Sequence, residues 1–187
     1  MFNAILVALD GSATSNAGLK HAVQLASDQK ARLIGLHVVD DSGIRMNFEG
    51  GYVPTAYIDK LLESLRHNGS VILGKAKAAA KEAGVELTTL LVESHGSTIA
   101  DSIISAARKA KADIVVIGTH GRRGLSRFFM GSDAEAVLRQ ARVPVLLVRS
   151  PGGAQHSRGN GNRRSAASSA GKRSPRTPRS ASLETVS

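Results

Sequence analysis

The chain has 187 residues with no cysteine, no tryptophan and only six aromatics, which suits one domain with an appendage and leaves no disulfide framework, thiolate metal site or Cys nucleophile. No apolar run approaches the roughly 18–20 residues of a membrane span, and Met1–Val7 lacks the basic start of a signal peptide, so a soluble, cytoplasmic protein is expected. The 25 Lys and Arg against 15 Asp and Glu look like a nucleic-acid signal until they are divided: seven basic residues and a single acid, Glu184, fall in 151–187, leaving 1–150 only mildly basic.

Residues 2–9 (FNAILVAL) are almost all apolar, the pattern of a strand buried on both faces. After Asp10-Gly11-Ser12 the spacing of Ala17, Leu19, Ala22, Val23, Leu25 and Ala26 predicts a helix, which Ser12 or Ser15 can cap. Residues 33–39 read as a second strand ending at Asp40-Asp41, adjacent acids expected in a solvated turn. Gly43, Gly50, Gly51 and Pro54 make 41–54 a mobile loop. From Thr55 to about Ala83 the stripe of Ile58, Leu61, Leu62, Leu65, Val71, Ile72, Ala76 and Ala79 predicts a helix stopped by Gly84, with Gly69 and Gly74 as candidate points for a bend.

Residues 85–92 form the third predicted strand. Ser97 is the expected cap of a helix carrying Ile99, Ala100, Ile103, Ile104 and Ala107, whose Lys109 and Lys111 suit the C-terminal end of the dipole. A fourth buried strand runs over 114–117 and ends in Gly118; a last helix spans 132–141 and a fifth strand 143–148. Strictly alternating strands and helices mean a parallel sheet between helical layers. The predicted fold is a doubly wound α/β domain over 1–150. Residues 151–187 hold eight serines and only Leu183 and Val186 as large aliphatics. Such a tail buries too little to repay ordering at about 1–2 kcal/mol per residue, so it is expected to be disordered. Lys172–Arg179 can meet nucleic-acid phosphates by charge, though without aromatics for base stacking.

Open parallel sheets bind ligands beyond the carboxyl ends of their strands. The stretch after the fourth strand reads as an anion cradle. Gly118 and Gly121 can adopt positive φ and bring backbone N–H groups close to a phosphate. Gly131 and Ser132 open the next helix, where unpaired donors favour negative charge. Ser132 adds a hydroxyl that either caps that helix or donates to a phosphate, Arg122, Arg123 and Arg127 add positive charge, and Asp10 offers a carboxylate to ribose hydroxyls. His120 lies within the cradle, but no Ser-His-Asp ordering or metal-ligand spacing supports a catalytic role. His37 is read as a hydrogen-bonded core residue, and His21 and His67 as helix-surface residues. Phe128 and Phe129 are read as packing the loop onto the body.

The spacing Gly118-x2-Gly121-x9-Gly131-Ser132 resembles the G-2x-G-9x-G-(S/T) motif of ATP-binding universal stress proteins. Residues 5–12, 36–40, 113–121 and 143–149 resemble further blocks of that family in the same order, over roughly 1–150. The resemblance implies a five-stranded sheet of order 3-2-1-4-5 and ATP, with Mg2+, as ligand. It implies that Asp10 holds ribose, that the Val38 backbone meets adenine, and that Ala8 and Ile117 line the base pocket. Gly118, Gly121, Gly131 and Ser132 are then the ribose and phosphate cradle. It also implies a homodimer paired through Val145–Val148, and phosphate on Ser126 or Ser132 in some relatives. A stress-response sensor with at most slow hydrolysis or autophosphorylation follows. Asp133 departs from the pattern, standing where the family usually has an apolar residue. Two like charges about 4 Å apart at an effective dielectric near 20 cost about 4 kcal/mol. The alternative is therefore a nucleotide-independent dimeric interaction protein of the same fold.

Overall fold

Five strands make one sheet: β1 (Ala4–Ala8), β2 (Arg32–Val39), β3 (Leu87–Glu93), β4 (Ile114–Gly118) and β5 (Val145–Val148). In the computed structural model, which describes residues 1–46, 54–121 and 130–149, their order is β3-β2-β1-β4-β5 and every neighbouring pair is parallel. The basic tail, Arg122, Arg123, Ser126, Arg127, Phe128 and Phe129 lie outside the described residues, together with the expectations attached to them. Parallel neighbours need long crossovers. Helices α1 (Ala13–Gln29), α2 (Ser42–Met46), α3 (Thr55–Glu82), α4 (Ile99–Lys109) and α5 (Ser132–Gln140) lie in those connections.

The period-2 alternation of strand side chains divides the core into two layers. Ile5, Val7, Leu33 and Val116 pack with Leu19, Ala22 and Val23 of α1 and with Leu73, Ala76 and Ala80 of α3. Leu6, Ile34, Leu36, Val115 and Ile117 pack with Ile103, Ala106 and Ala107 of α4 and with Val137 of α5. Ile5, Leu6 and Val7 are wholly inaccessible, which is why β1 reads as a continuous apolar run. Burying one such side chain contributes about 1.5–3 kcal/mol.

Four local expectations change. Residues 41–54 are not all loop, because α2 occupies Ser42–Met46 and buries Ile44. Asp41 is not solvated: it is buried and accepts from the Ser94 hydroxyl and from Gly96 N at 3.3 Å. Thr98, not Ser97, caps α4, accepting from Asp101 N at 3.0 Å while its hydroxyl donates to Asp101 Oδ2 at 2.7 Å. Finally, α3 runs 28 residues as one helix. Gly69 serves packing instead of bending, since a Cβ there would stand 2.5 Å from His37 Cδ2 and 2.6 Å from Leu91 Cδ1. Gly84 does follow the end of α3 with φ +74, as a stop requires.

Candidate functional site

With β1 flanked by β2 and β4, the chain's crossovers leave the sheet in opposite directions on either side of the β1/β4 boundary. That arrangement opens a crevice at the carboxyl ends of these two strands. A cavity of about 380 Å3 lies there. All eight residues predicted from sequence line it: Ala8 at the end of β1 and Asp10 just after it, Val38 on β2, Ile117, Gly118 and Gly121 around the end of β4, and Gly131 and Ser132 at the start of α5.

The β1 wall is tied by a directed chain of hydrogen bonds. Asp10 Oδ1 accepts from Ser12 N at 2.9 Å. Ser12 Oγ accepts from Ser15 N at 3.1 Å, which makes Ser12 the cap of α1, and it lies 3.0 Å from Thr14 Oγ1. The Thr14 hydroxyl donates to the His120 carbonyl. Its proton is thereby committed, so Ser12 is the donor in the Ser12–Thr14 bond. Thr14 fastens the turn after β4 to the first turn of α1.

The glycines fit the site for a reason other than the expected one. Positive φ is confined to Gly11, Gly84 and Gly96 among the described glycines, so neither Gly118 nor Gly121 needs the left-handed region. Close approach demands them instead. A Cβ on Gly118 would be 2.9 Å from both Thr14 Cβ and Oγ1, and one on Gly121 would be 2.9 Å from Asp10 Oδ2. Gly131, the N-cap of α5 at φ −63, makes no side-chain cap bond, and its N–H donates to Thr119 O at 2.8 Å. A Cβ there would meet Thr119 O at 3.5 Å, His120 Cα at 3.8 Å and Gly121 N at 4.0 Å, within ordinary contact. Ser132 is the first residue of α5 and is exposed, so it does not cap that helix.

Sequence reasoning did not assign Leu36, Ile99, Ile103 or Thr119 to the cavity they line. Ile99 and Ile103 of α4 join Leu36 as apolar lining. Their helical spacing was visible, but only the crossover brings them here. Thr119, His120, Asp40 and Asp133 add polar groups. The His120 Nδ1 lies 3.0 Å from Thr119 Oγ1, and its Nε2 is buried without a partner among the described residues. His37, expected in the core, is buried with Nδ1 2.6 Å from Leu9 O, while His21 and His67 are exposed as expected. The described lining contains no lysine or arginine.

Titration is shifted away from the cavity. The Asn3 and Ala4 backbone N–H groups, donating at 2.6 and 3.0 Å, lower the Asp113 carboxyl below its ordinary value. Arg66, bonded to Glu93 through two nitrogens at 2.8 and 3.0 Å, lowers that carboxyl and is itself raised. Among the described residues no three His, Cys, Asp or Glu side chains gather as a metal site, and no helix is long and apolar enough to cross a membrane.

The universal stress protein family model matches residues 1–149. A universal stress protein of Methanocaldococcus jannaschii is 35% identical over 152 residues, covering 81% of this chain and 84% of that protein. A crystal structure of a family member from Burkholderia pseudomallei is 37% identical over 78% of this chain and 94% of its own, with a TM-score of 0.60. A universal stress protein solved in complex with cAMP is 25% identical over 80% and 98%, with a TM-score of 0.56. By sequence over four-fifths of its length and by the order of its strands, the chain belongs to the universal stress protein family.

Proposed function

We propose that the chain binds ATP, accompanied by Mg2+, in the β1/β4 crevice and acts in the cytoplasm as a dimeric nucleotide sensor or regulator without rapid turnover. The observation that carries this reading is the convergence of Ala8, Asp10, Val38, Ile117, Gly118, Gly121, Gly131 and Ser132 on one cavity. In this reading the Asp10 carboxylate accepts from ribose, Ala8 and Ile117 hold the base with Ile99 and Ile103, and the Val38 backbone meets adenine. Gly118, Gly121 and Gly131 expose backbone to ribose and phosphates, and the Ser132 hydroxyl donates beside them. The cAMP complex of a relative supports a nucleotide as the ligand class.

Mg2+ commonly binds through one or two carboxylates plus substrate phosphates. Asp10 and Asp40 line the cavity, and one of their carboxylates would hold a magnesium ion arriving with its nucleotide. In this reading the dimer forms through β5, which among the described residues pairs with β4 alone and leaves Leu146 37% exposed. An apolar edge of that kind is relieved by pairing with a second copy. ATP titration of the full chain and of Asp10→Ala tests the site. Micromolar binding that weakens in the variant is the expected result, and equal affinity in both would remove the crevice from the account. Mass spectrometry of copurified nucleotide identifies the natural occupant.

A second reading is favoured by Asp133, whose place in the cavity wall sets a negative charge beside the cradle. On that reading the protein is a nucleotide-independent interaction module and its dimer surface carries function. Wild-type protein that ignores ATP while Asp133→Val binds it would select this reading.

A further inference from the structure

Backbone pairing of β1 with β2 reaches Leu9, whose N–H donates to Leu36 O at 2.8 Å. The Leu9 carbonyl is met by a side chain, with His37 Nδ1 2.6 Å from it. A carbonyl only accepts, so Nδ1 carries a proton and donates it. Beyond this point β2 runs on beside β3, with His37 opposite Leu91 and Val38 opposite Val92. Only 5% of His37 is accessible, and α3 closes over its ring. A Cβ on Gly69 would stand 2.5 Å from His37 Cδ2, 3.1 Å from Nε2 and 2.6 Å from Leu91 Cδ1. The imidazole is clamped between the Leu9 carbonyl and the bare backbone of a helix.

The peptide unit that contains Leu9 O ends at the Cα of Asp10. Because that unit is planar, holding its oxygen while the ladder holds Leu9 sets the orientation of the plane, and with it the Asp10 N and Cα. The carboxylate is held at its other end, where Oδ1 accepts from Ser12 N at 2.9 Å. Oδ2 lies toward the turn after β4, 2.9 Å from where a Cβ on Gly121 would stand. We infer that His37 is a positioning residue, whose bond to Leu9 O sets the direction in which Asp10 is presented to the crevice. This rests on the nucleotide reading and adds to it the side chain that aims the ribose-binding carboxylate. A buried histidine with a satisfied ring stabilises a core wherever its partner lies. The partner here is the carbonyl immediately before the acid that the ligand would meet, so the bond serves the site as well as the core.

Leucine and asparagine at this position leave nearly the same void and differ in one respect, since only the asparagine amide nitrogen falls near Nδ1 and can donate to Leu9 O. Calorimetric titration of the full-length wild type, His37→Leu and His37→Asn with ATP and with dideoxy-ATP, which lacks both ribose hydroxyls, reads the effect. His37→Leu is expected to weaken ATP about tenfold, the lower end of what a hydrogen bond to a charged group contributes, and to leave dideoxy-ATP within about twofold. His37→Asn should recover most of the ATP loss. In an Asp10→Ala background His37→Leu should weaken ATP by no more than about twofold further, because the two residues act through one contact. Equal losses for the two nucleotides, no loss for either, no rescue by His37→Asn, or losses that multiply in the double variant would overturn the inference. Should the wild type bind neither nucleotide, the proposed function fails. Hydrogen exchange at the Ser12 amide, which is bonded to Asp10 Oδ1, then decides His37 by itself. Faster exchange there in His37→Leu, restored in His37→Asn and with β1 unaltered, upholds the positioning role, and an unchanged Ser12 amide refutes it.

Discussion

Helices α1 and α5 both begin at the crevice, and their N-termini are finished differently. In α1 the Ser12 hydroxyl accepts from Ser15 N, Asp10 accepts from Ser12 N, and the chain of bonds runs on through Thr14 to His120. In α5 a glycine holds the N-cap position without a side-chain bond, and Asp133 and Glu135 stand in the first turn. The first N–H groups of any helix lack intrahelical acceptors. The α1 end meets part of this need from its own sequence, which makes it a fixed wall. The α5 end leaves more of the need to something outside the helix, which is where an anionic ligand gains most. Acids in that turn compensate the dipole within the protein, so they compete with the ligand they stand beside.

The largest expected effect comes from filling the α5 side. Gly131→Val adds a Cβ that stays at 3.5 Å or more from its neighbours, at a φ of −63 open to any residue. The two methyls beyond it extend from a position that lines the cavity close to the Gly121 amide. ATP affinity should fall roughly a hundredfold or more, about 3 kcal/mol, while the thermal midpoint moves little. Loss of folding instead would mean that the cradle glycine serves the backbone and not the ligand.

Next in size is the charge itself. Asp133→Val removes a negative group from the cavity wall, and ATP should bind about tenfold tighter. The figure lies well below the unscreened repulsion because Asp133 is exposed. The same change withdraws a favourable acid from the first turn of α5, costing about 0.3–1 kcal/mol of stability. Calorimetry and thermal melts of one variant should therefore move in opposite senses, and a loss on both would show that Asp133 positions the helix for the ligand. Third, Ser12→Ala should cost about 1 kcal/mol of stability, the usual value of an N-cap hydroxyl. It should also raise hydrogen exchange at Ser15 and loosen Thr14. Unaltered exchange there would erase the contrast between the two helix ends.

The two helix ends were not equally legible in the sequence. Ser12 announces itself as a hydroxyl just before an apolar-periodic run, and Gly131-Ser132 was found through the spacing of glycines. What the glycines are for was misread, because positive φ is a local property that sequence suggests, whereas the contact of Gly121 with Asp10 joins positions 111 residues apart. The same limit hid the Thr14–His120 bond and the burial of Asp41 against Ser94. Thr98 carried a readable signal, a hydroxyl three residues before Asp101, that the nearer claim of Ser97 obscured. Alternating apolar runs sufficed for the order of elements, since two-sided burial forces them. Helix α2 was lost because five residues with a glycine among them show no periodicity.

Asp113 offers the smallest test, at the amino-terminal end of the central strands. There a carboxylate does what Ser12 does for α1, accepting the backbone N–H groups of Asn3 and Ala4 where β1 begins. Because these bonds hold its folded pKa below the ordinary value, the unfolded chain binds its proton first on acidification. Its stabilising contribution is complete above the ordinary carboxylate range and disappears as pH falls through the depressed folded pKa. Asp113→Asn should lower the thermal midpoint slightly at neutral pH and flatten the decline of stability in acid, leaving only the slope owed to groups such as Glu93, which Arg66 depresses likewise. ATP affinity should not change, since Asp113 precedes β4 at the end remote from the crevice. If the variant weakened ATP as strongly as Asp10→Ala, the two ends of β1 would be coupled along the strand, and the distinction between a fixed wall and a ligand-completed one would have to be drawn for the whole strand.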